Sequence, residues 1–282
     1  MRKLLHIIPV LAVFAASCSS IDAHRDLEDT LPVKELSAGF GETTRTYVEE
    51  YKYLRWHEDD RLTAFYGNTL NRQYKFNGQT GDNSGTFSLV PSGELGTGNL
   101  FDRIYALYPY DETARITEEG VISFTLPDVQ EYLYRSFGDK ANTMLAVTEN
   151  IEDTFLAFRN VCGYLKLKLY STTDVTVKTI TLSGNNHELL AGPAVATIGF
   201  GEAPELELSE TATHSITLDC GEVGVKLSKD ADAPTEFLIV VPPVEFTEGL
   251  TVTVTDINKS EFVKSTGNQV VITRNEIQPM KT

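Results

Sequence analysis

The sequence predicts an all-β protein made of two β-sandwich domains in tandem. Three observations carry that expectation. Leu165-Lys166-Leu167-Lys168-Leu169 alternates strictly, as a strand with one apolar and one wet face requires. Phe237 to Val241 is a continuous apolar run, the pattern of a central strand buried on both faces. Turn clusters punctuate the chain at Asn77-Gly78, Gly81 to Gly85, Ser183 to Asn186 and Gly267-Asn268. Short strands interrupted this often pack as sandwiches.

The chain begins with an export signal over residues 1–17. Arg2 and Lys3 give it a positive start, Leu4 to Phe14 an apolar stretch, and Ala15, Ala16 and Ser17 a run of small residues before Cys18. The apolar stretch is too short to span a bilayer. Small residues directly before a cysteine resemble a lipobox, so Cys18 is the expected lipidation site and the lipid the expected tie to a membrane. Residues 18–31 carry Asp22, Asp26, Glu28 and Asp29 without apolar periodicity and read as a polar tether. A first sandwich is expected over 32–154. A second is expected over 155–282, where Phe155 to Leu169 opens a fresh block of strands. Val175 to Leu182 and Thr251 to Thr255 continue that block, and Pro242-Pro243 ends the apolar run before it. One segment reads as a short helical crossover: Val129, Leu133 and Phe137 recur every fourth residue after Pro127 and Asp128.

Composition narrows the function. The 282 residues include 40 acidic and 24 basic ones, for a net charge of −16. A chain this acidic repels phosphate backbones, so no nucleic-acid partner is expected. Catalysis is not expected either. The histidines at 6, 24, 57, 187 and 214 never fall at metal-ligand spacing, and nucleophile-elbow, zinc-protease and phosphate-loop motifs are missing. Asp59-Asp60 has no calcium-loop spacing around it. No metal or cofactor is expected. Trp56, the single tryptophan, reads as a core anchor rather than a sugar-stacking platform. Cys162 and Cys220 leave two readings open, a disulfide between strands or two buried thiols packing as small hydrophobes.

An ordered series of motifs runs along nearly the whole chain. It comprises Thr44-Arg45-Thr46, Trp56 with Asp59-Asp60, Leu62 to Phe65, Tyr105 to Tyr110, and Leu126-Pro127 with Gln130. It continues with Phe158, Asn160 to Leu165, Ser183-Gly184, Leu190 to Gly192, Val241 to Pro243, and Gly249-Leu250. This series resembles the fimbrillin superfamily. The resemblance implies two transthyretin-like, Greek-key sandwiches in a protein of the outer membrane and cell surface. Members are exported as lipoproteins and build the pili of Gram-negative anaerobes, as shaft, tip or anchor subunits that serve adhesion. Many are cut by an Arg-specific protease. Loss of the N-terminal strand then opens a groove, and a strand from another subunit fills it. The partners implied are other fimbrial subunits and, through Cys18, the membrane, with a host or bacterial surface ligand beyond them.

The residues support one step of that mechanism on their own. Leu36, Ala38 and Phe40 alternate just before Gly41-Glu42-Thr43-Thr44-Arg45, so a strand precedes a polar segment carrying a basic cleavage point. Cleavage between Arg45 and Thr46 would remove that strand, whereas cleavage at Arg25 would only free the chain from its lipid. The stripped edge would expose unpaired backbone and favour strand addition. Candidate donor segments are Gln269 to Ile272, which reads as an integral strand, and Glu276 to Met280, which Pro279 weakens. The alternative is a monomeric surface lipoprotein that binds a glycan or a host protein.

Overall fold

The computed structural model describes residues 33–41, 54–92, 98–138 and 140–280. The leader, Cys18, Arg25, Arg45 and Thr46 lie outside the described residues. Twenty-three strands, β1 to β23 in chain order, and no helix make up the described residues. The all-β expectation is met.

Seven strands close a barrel. In order around it they are β1 (Glu35–Phe40), β11 (Phe155–Asn160), β10 (Met144–Val147), β5 (Tyr105–Tyr108), β2 (Arg61–Tyr66), β3 (Asn68–Phe76) and β4 (Ser84–Leu89), which returns to β1. A four-stranded sheet follows the order β15 (Glu205–Leu208), β14 (Gly192–Thr197), β7 (Ile122–Leu126) and β6 (Arg115–Ile116). A larger sheet runs β21 (Glu261–Thr266), β20 (Leu250–Asp256), β13 (Thr176–Gly184), β16 (Ser215–Asp219), β8 (Val129–Leu133) and β9 (Ser136–Phe137), with β17 (Val225–Lys226) on β13. The remaining sheets are β18 (Thr235–Val241), β12 (Gly163–Leu169) and β23 (Ile277–Pro279), and the pair β19 (Val244–Phe246) with β22 (Val270–Ile272).

Three apolar clusters fill the spaces between these sheets. Leu36, Ala38, Trp56, Leu62, Phe87 and Leu156 fill the barrel. Phe65, Leu107 and Leu145 on the barrel wall meet Phe124, Leu126 and Ala194 of the four-stranded sheet in a middle cluster. Leu165, Ile180, Phe237 and Val252 belong to a third. The wall strands β2, β5 and β10 are therefore buried on both faces, which is why Met144 to Val147 carries no polar residue.

Pairing departs from a division at residue 155. Phe155 opens β11, which lies in the barrel between β1 and β10 rather than in a second sandwich. Conversely β7 pairs with β14, and β8 pairs in parallel with β16, so strands of the first half enter sheets of the second. The halves interlock because the middle cluster draws residues from both.

Residues 129–133 and 136–137 are two strands joined by a turn, not a helix. A spacing of four is even, so Val129 and Leu133 share one face of a strand as readily as one face of a helix. That face is exposed, while Gln130 between them is buried. Gln130 accounts for a second difference. Phe237 to Val241 is buried on both faces as expected, yet β18 is an edge strand. The Gln130 side-chain amide substitutes for a neighbour: Nε2 donates to the Val240 carbonyl at 2.7 Å, and Oε1 accepts from the Val240 N–H at 2.9 Å. On β12 the lysine-bearing face is not wholly wet. Lys166 is buried and pairs with Glu236 at 2.9 Å.

Candidate functional site

The seat of β1 is the candidate site. Ser37 to Phe40 run parallel to Phe155 to Phe158, and Glu35 to Gly39 run antiparallel to Ser84 to Ser88. The strand is thus laddered on both sides and closes the barrel. Leu36 and Ala38 point inward and are fully buried, because the alternation read in the sequence matches the pleat. Ala38 sits opposite Gly85. A Cβ on Gly85 would stand 2.7 Å from the Phe76 ring, so a side chain at position 85 would force that ring to move. Phe40 stacks on Trp56 with ring centroids 4.6 Å apart, and Trp56 is also edge-on to Phe87, Tyr108 and Phe158. Trp56 is the core anchor that was expected.

The upstream end of the strand is held differently. The Val33 N–H donates to the Tyr66 hydroxyl at 3.1 Å, and the Val33 carbonyl accepts from the Tyr74 hydroxyl at 2.5 Å. The Arg72 guanidinium lies 4.1 Å from the Tyr66 ring centroid and donates to the Tyr66 carbonyl at 3.0 Å. Burial pushes the Tyr74 hydroxyl well above the usual tyrosine range. Burial likewise pulls Arg72 below its ordinary value.

The edge that receives β1 continues beyond it. Thr154, just before β11, and Phe158 within it accept from the Ser37 and Gly41 N–H groups. Beyond Phe158, the Asn160 carbonyl accepts from the Arg274 guanidinium at 3.0 Å, and the Cys162 carbonyl accepts from the Asn275 N–H at 2.9 Å. The Tyr164 N–H then donates to Glu276, and the Lys166 carbonyl accepts from Met280. Every contact uses an even-numbered residue, and backbone groups of like parity point to one side of a strand. The N-terminal strand β1 and the C-terminal strand β23 therefore lie end to end along one edge, both parallel to it. Buried asparagines mark the junction: Asn160 bonds Asn275 at 2.5 Å and Asn142 at 2.9 Å, and Asn142 accepts from the Tyr164 hydroxyl. Of the two donor candidates, β22 pairs internally with β19, and the last segment occupies this edge as three strand residues.

Other residues singled out in the sequence have structural surroundings. Asp60 accepts from the Tyr108 hydroxyl at 2.7 Å and the His57 N–H at 2.6 Å, and Asp59 pairs with Lys75 on the surface. Cys162 and Cys220 are free buried thiols in different clusters, so the disulfide reading gives way to the packing one. Burial pushes both thiols up to about 12. The Tyr66–Tyr74 pair and the asparagine junction were missed. One signal was available for the first: in β3, Arg72, Tyr74 and Phe76 share the inward parity, and an arginine among inward residues marks a built polar site.

No protein-family model and no curated protein matches the sequence. Solved structures do match. A candidate cell adhesion protein from Bacteroides ovatus superposes with a TM-score of 0.50 at 16% identity, over 86% of this chain and 89% of that one. A second from Bacteroides uniformis gives 0.47 at 17% identity, over 84% and 88%. The tip fimbrial protein Mfa3 from Porphyromonas gingivalis, truncated at its C-terminus, gives 0.31 at 9%, over 82% and 80%. The chain therefore shares the fold of the Bacteroides ovatus protein.

Proposed function

We propose that this chain is a structural subunit of a cell-surface fimbria, serving adhesion and not catalysis. It is exported as a lipoprotein precursor acylated at Cys18, cut after Arg45, and assembled by strand exchange at the seat of β1. One observation carries the reading. The first described strand closes a barrel between two neighbours, and Arg45 follows its end by five residues. Loss of that strand would unpair β4 and β11 together and uncover Leu62, Phe87 and Leu156. Burying an apolar side chain is worth about 1.5–3 kcal/mol, so the emptied seat would favour another strand. Deletion of the gene should remove filaments from the cell surface, and Cys18→Ser should abolish palmitate labelling. Filaments that persist on deleted cells, or equal labelling of both forms, would contradict it.

The monomeric reading draws on a different feature, a cleft of about 310 Å³ lined by Trp56, Tyr108, Arg135, Phe137, Lys140 and Tyr164 among others. A strong glycan-array signal from uncut monomer, with no filaments on cells, would favour it.

A further inference from the structure

Val33 lies two residues before β1, outside the ladders that hold that strand, yet both of its backbone polar groups are satisfied. The tyrosine hydroxyls that satisfy them are 3.0 Å apart, and both side chains are buried. Each hydroxyl has one hydrogen to give. With the Tyr74 hydrogen on the Val33 carbonyl, Tyr66 supplies the hydrogen between the two oxygens. Three bonds then close a ring around one residue of the main chain. Arg72 fixes the ring from below, bonding the carbonyls of Tyr66 and Leu70 and the Asn68 side chain at 3.0–3.2 Å.

A ladder alone does not choose a register. Sliding a strand by two residues restores every main-chain bond and keeps the same side chains facing inward. In β1, Leu36 and Ala38 oppose such a slide by size. A strand of other sequence would need a mark that does not depend on side chains. Such a mark stands at Tyr66 and Tyr74, because they read an N–H and a C=O and nothing else.

We propose that Tyr66 and Tyr74 form a main-chain socket that ends the acceptor groove and sets the register of the extended strand filling it. The proposal rests on the strand-exchange reading above. It makes the tyrosines positioning residues for assembly. It also sets a rule for donors: the residue in the socket needs a free N–H, so proline is excluded there.

The test uses the full chain cut by an Arg-specific protease in the presence of fluorescent peptides, with capture read by anisotropy. The first peptide is acetylated Val33 to Gly41. The second is acetylated Glu35 to Gly41, whose acetyl group keeps the carbonyl that accepts from Leu89. The third is the first with Val33→Pro. Loss of two hydrogen bonds should weaken capture of the second peptide roughly 10–30-fold against the first, with the proline peptide between them. The Val33 side chain also packs on the barrel core, so the same peptides are compared on a Tyr66→Phe/Tyr74→Phe chain, where the preference should shrink to that apolar contribution. Equal capture of the first and third peptides by wild type would overturn the socket and leave strand exchange standing. If wild type captures none of them, strand exchange itself fails. The proline arm needs no variant protein, so misfolding of the double variant does not rescue the idea.

Discussion

Single residues set the chemistry that holds the barrel and its neighbours. Tyr74 is raised by burial in the folded state, so it favours folding while neutral. That contribution is complete below the ordinary tyrosine value of about 10 and is lost as pH rises above it. The stability of wild type should therefore fall above about pH 10 more steeply than that of Tyr74→Phe, measured by urea unfolding at stepped pH. Equal slopes would remove Tyr74 as the cause. The same sign holds for Cys162 and Cys220. With both thiols pushed up to about 12, neither should react with a thiol reagent at about pH 8 until the protein unfolds. Immediate native-state labelling of either would contradict their burial.

At the scale of elements, alternation was legible and pairing was not. Leu36, Ala38 and Phe40 gave β1 away, as did the apolar run of β18, because period and burial are local properties. The neighbours of those strands are set by distant residues. β11 reads like the start of a new block but joins β1 and β10 across the barrel, and β18 is an edge that a side chain completes. The even spacing of Val129, Leu133 and Phe137 served a helix and a strand equally, and only Gln130, buried between them, separates the two. Gln130→Ala should cost about 2–4 kcal/mol in urea unfolding, since it strands a buried N–H and C=O of Val240. A change below about 0.5 kcal/mol, the range of ordinary surface substitutions, would mean that β18 is satisfied some other way.

For the whole molecule, the first and last of the described strands meet on one edge. β1 and β23 lie head to tail along β11 and β12, joined through Arg274, Asn275 and Asn160. Under the strand-exchange proposal, the emptied seat would lie beside β23. That strand is three residues long, with Pro279 exposed at its end. Pro279 removes one backbone donor from it. The candidate site was half legible in the sequence. Its strand follows from local pattern, whereas the closed barrel and the tyrosine pair arise from contacts across the fold. The most direct measurement is an SDS gel, run without heating, of wild type and Arg45→Ala after treatment with an Arg-specific protease and mixing with shaft subunits. Strand exchange predicts that cut wild type loses its N-terminal fragment and enters SDS-resistant complexes, while Arg45→Ala stays intact and monomeric. Wild type that is cut after Arg45 yet keeps its fragment and remains monomeric would contradict it.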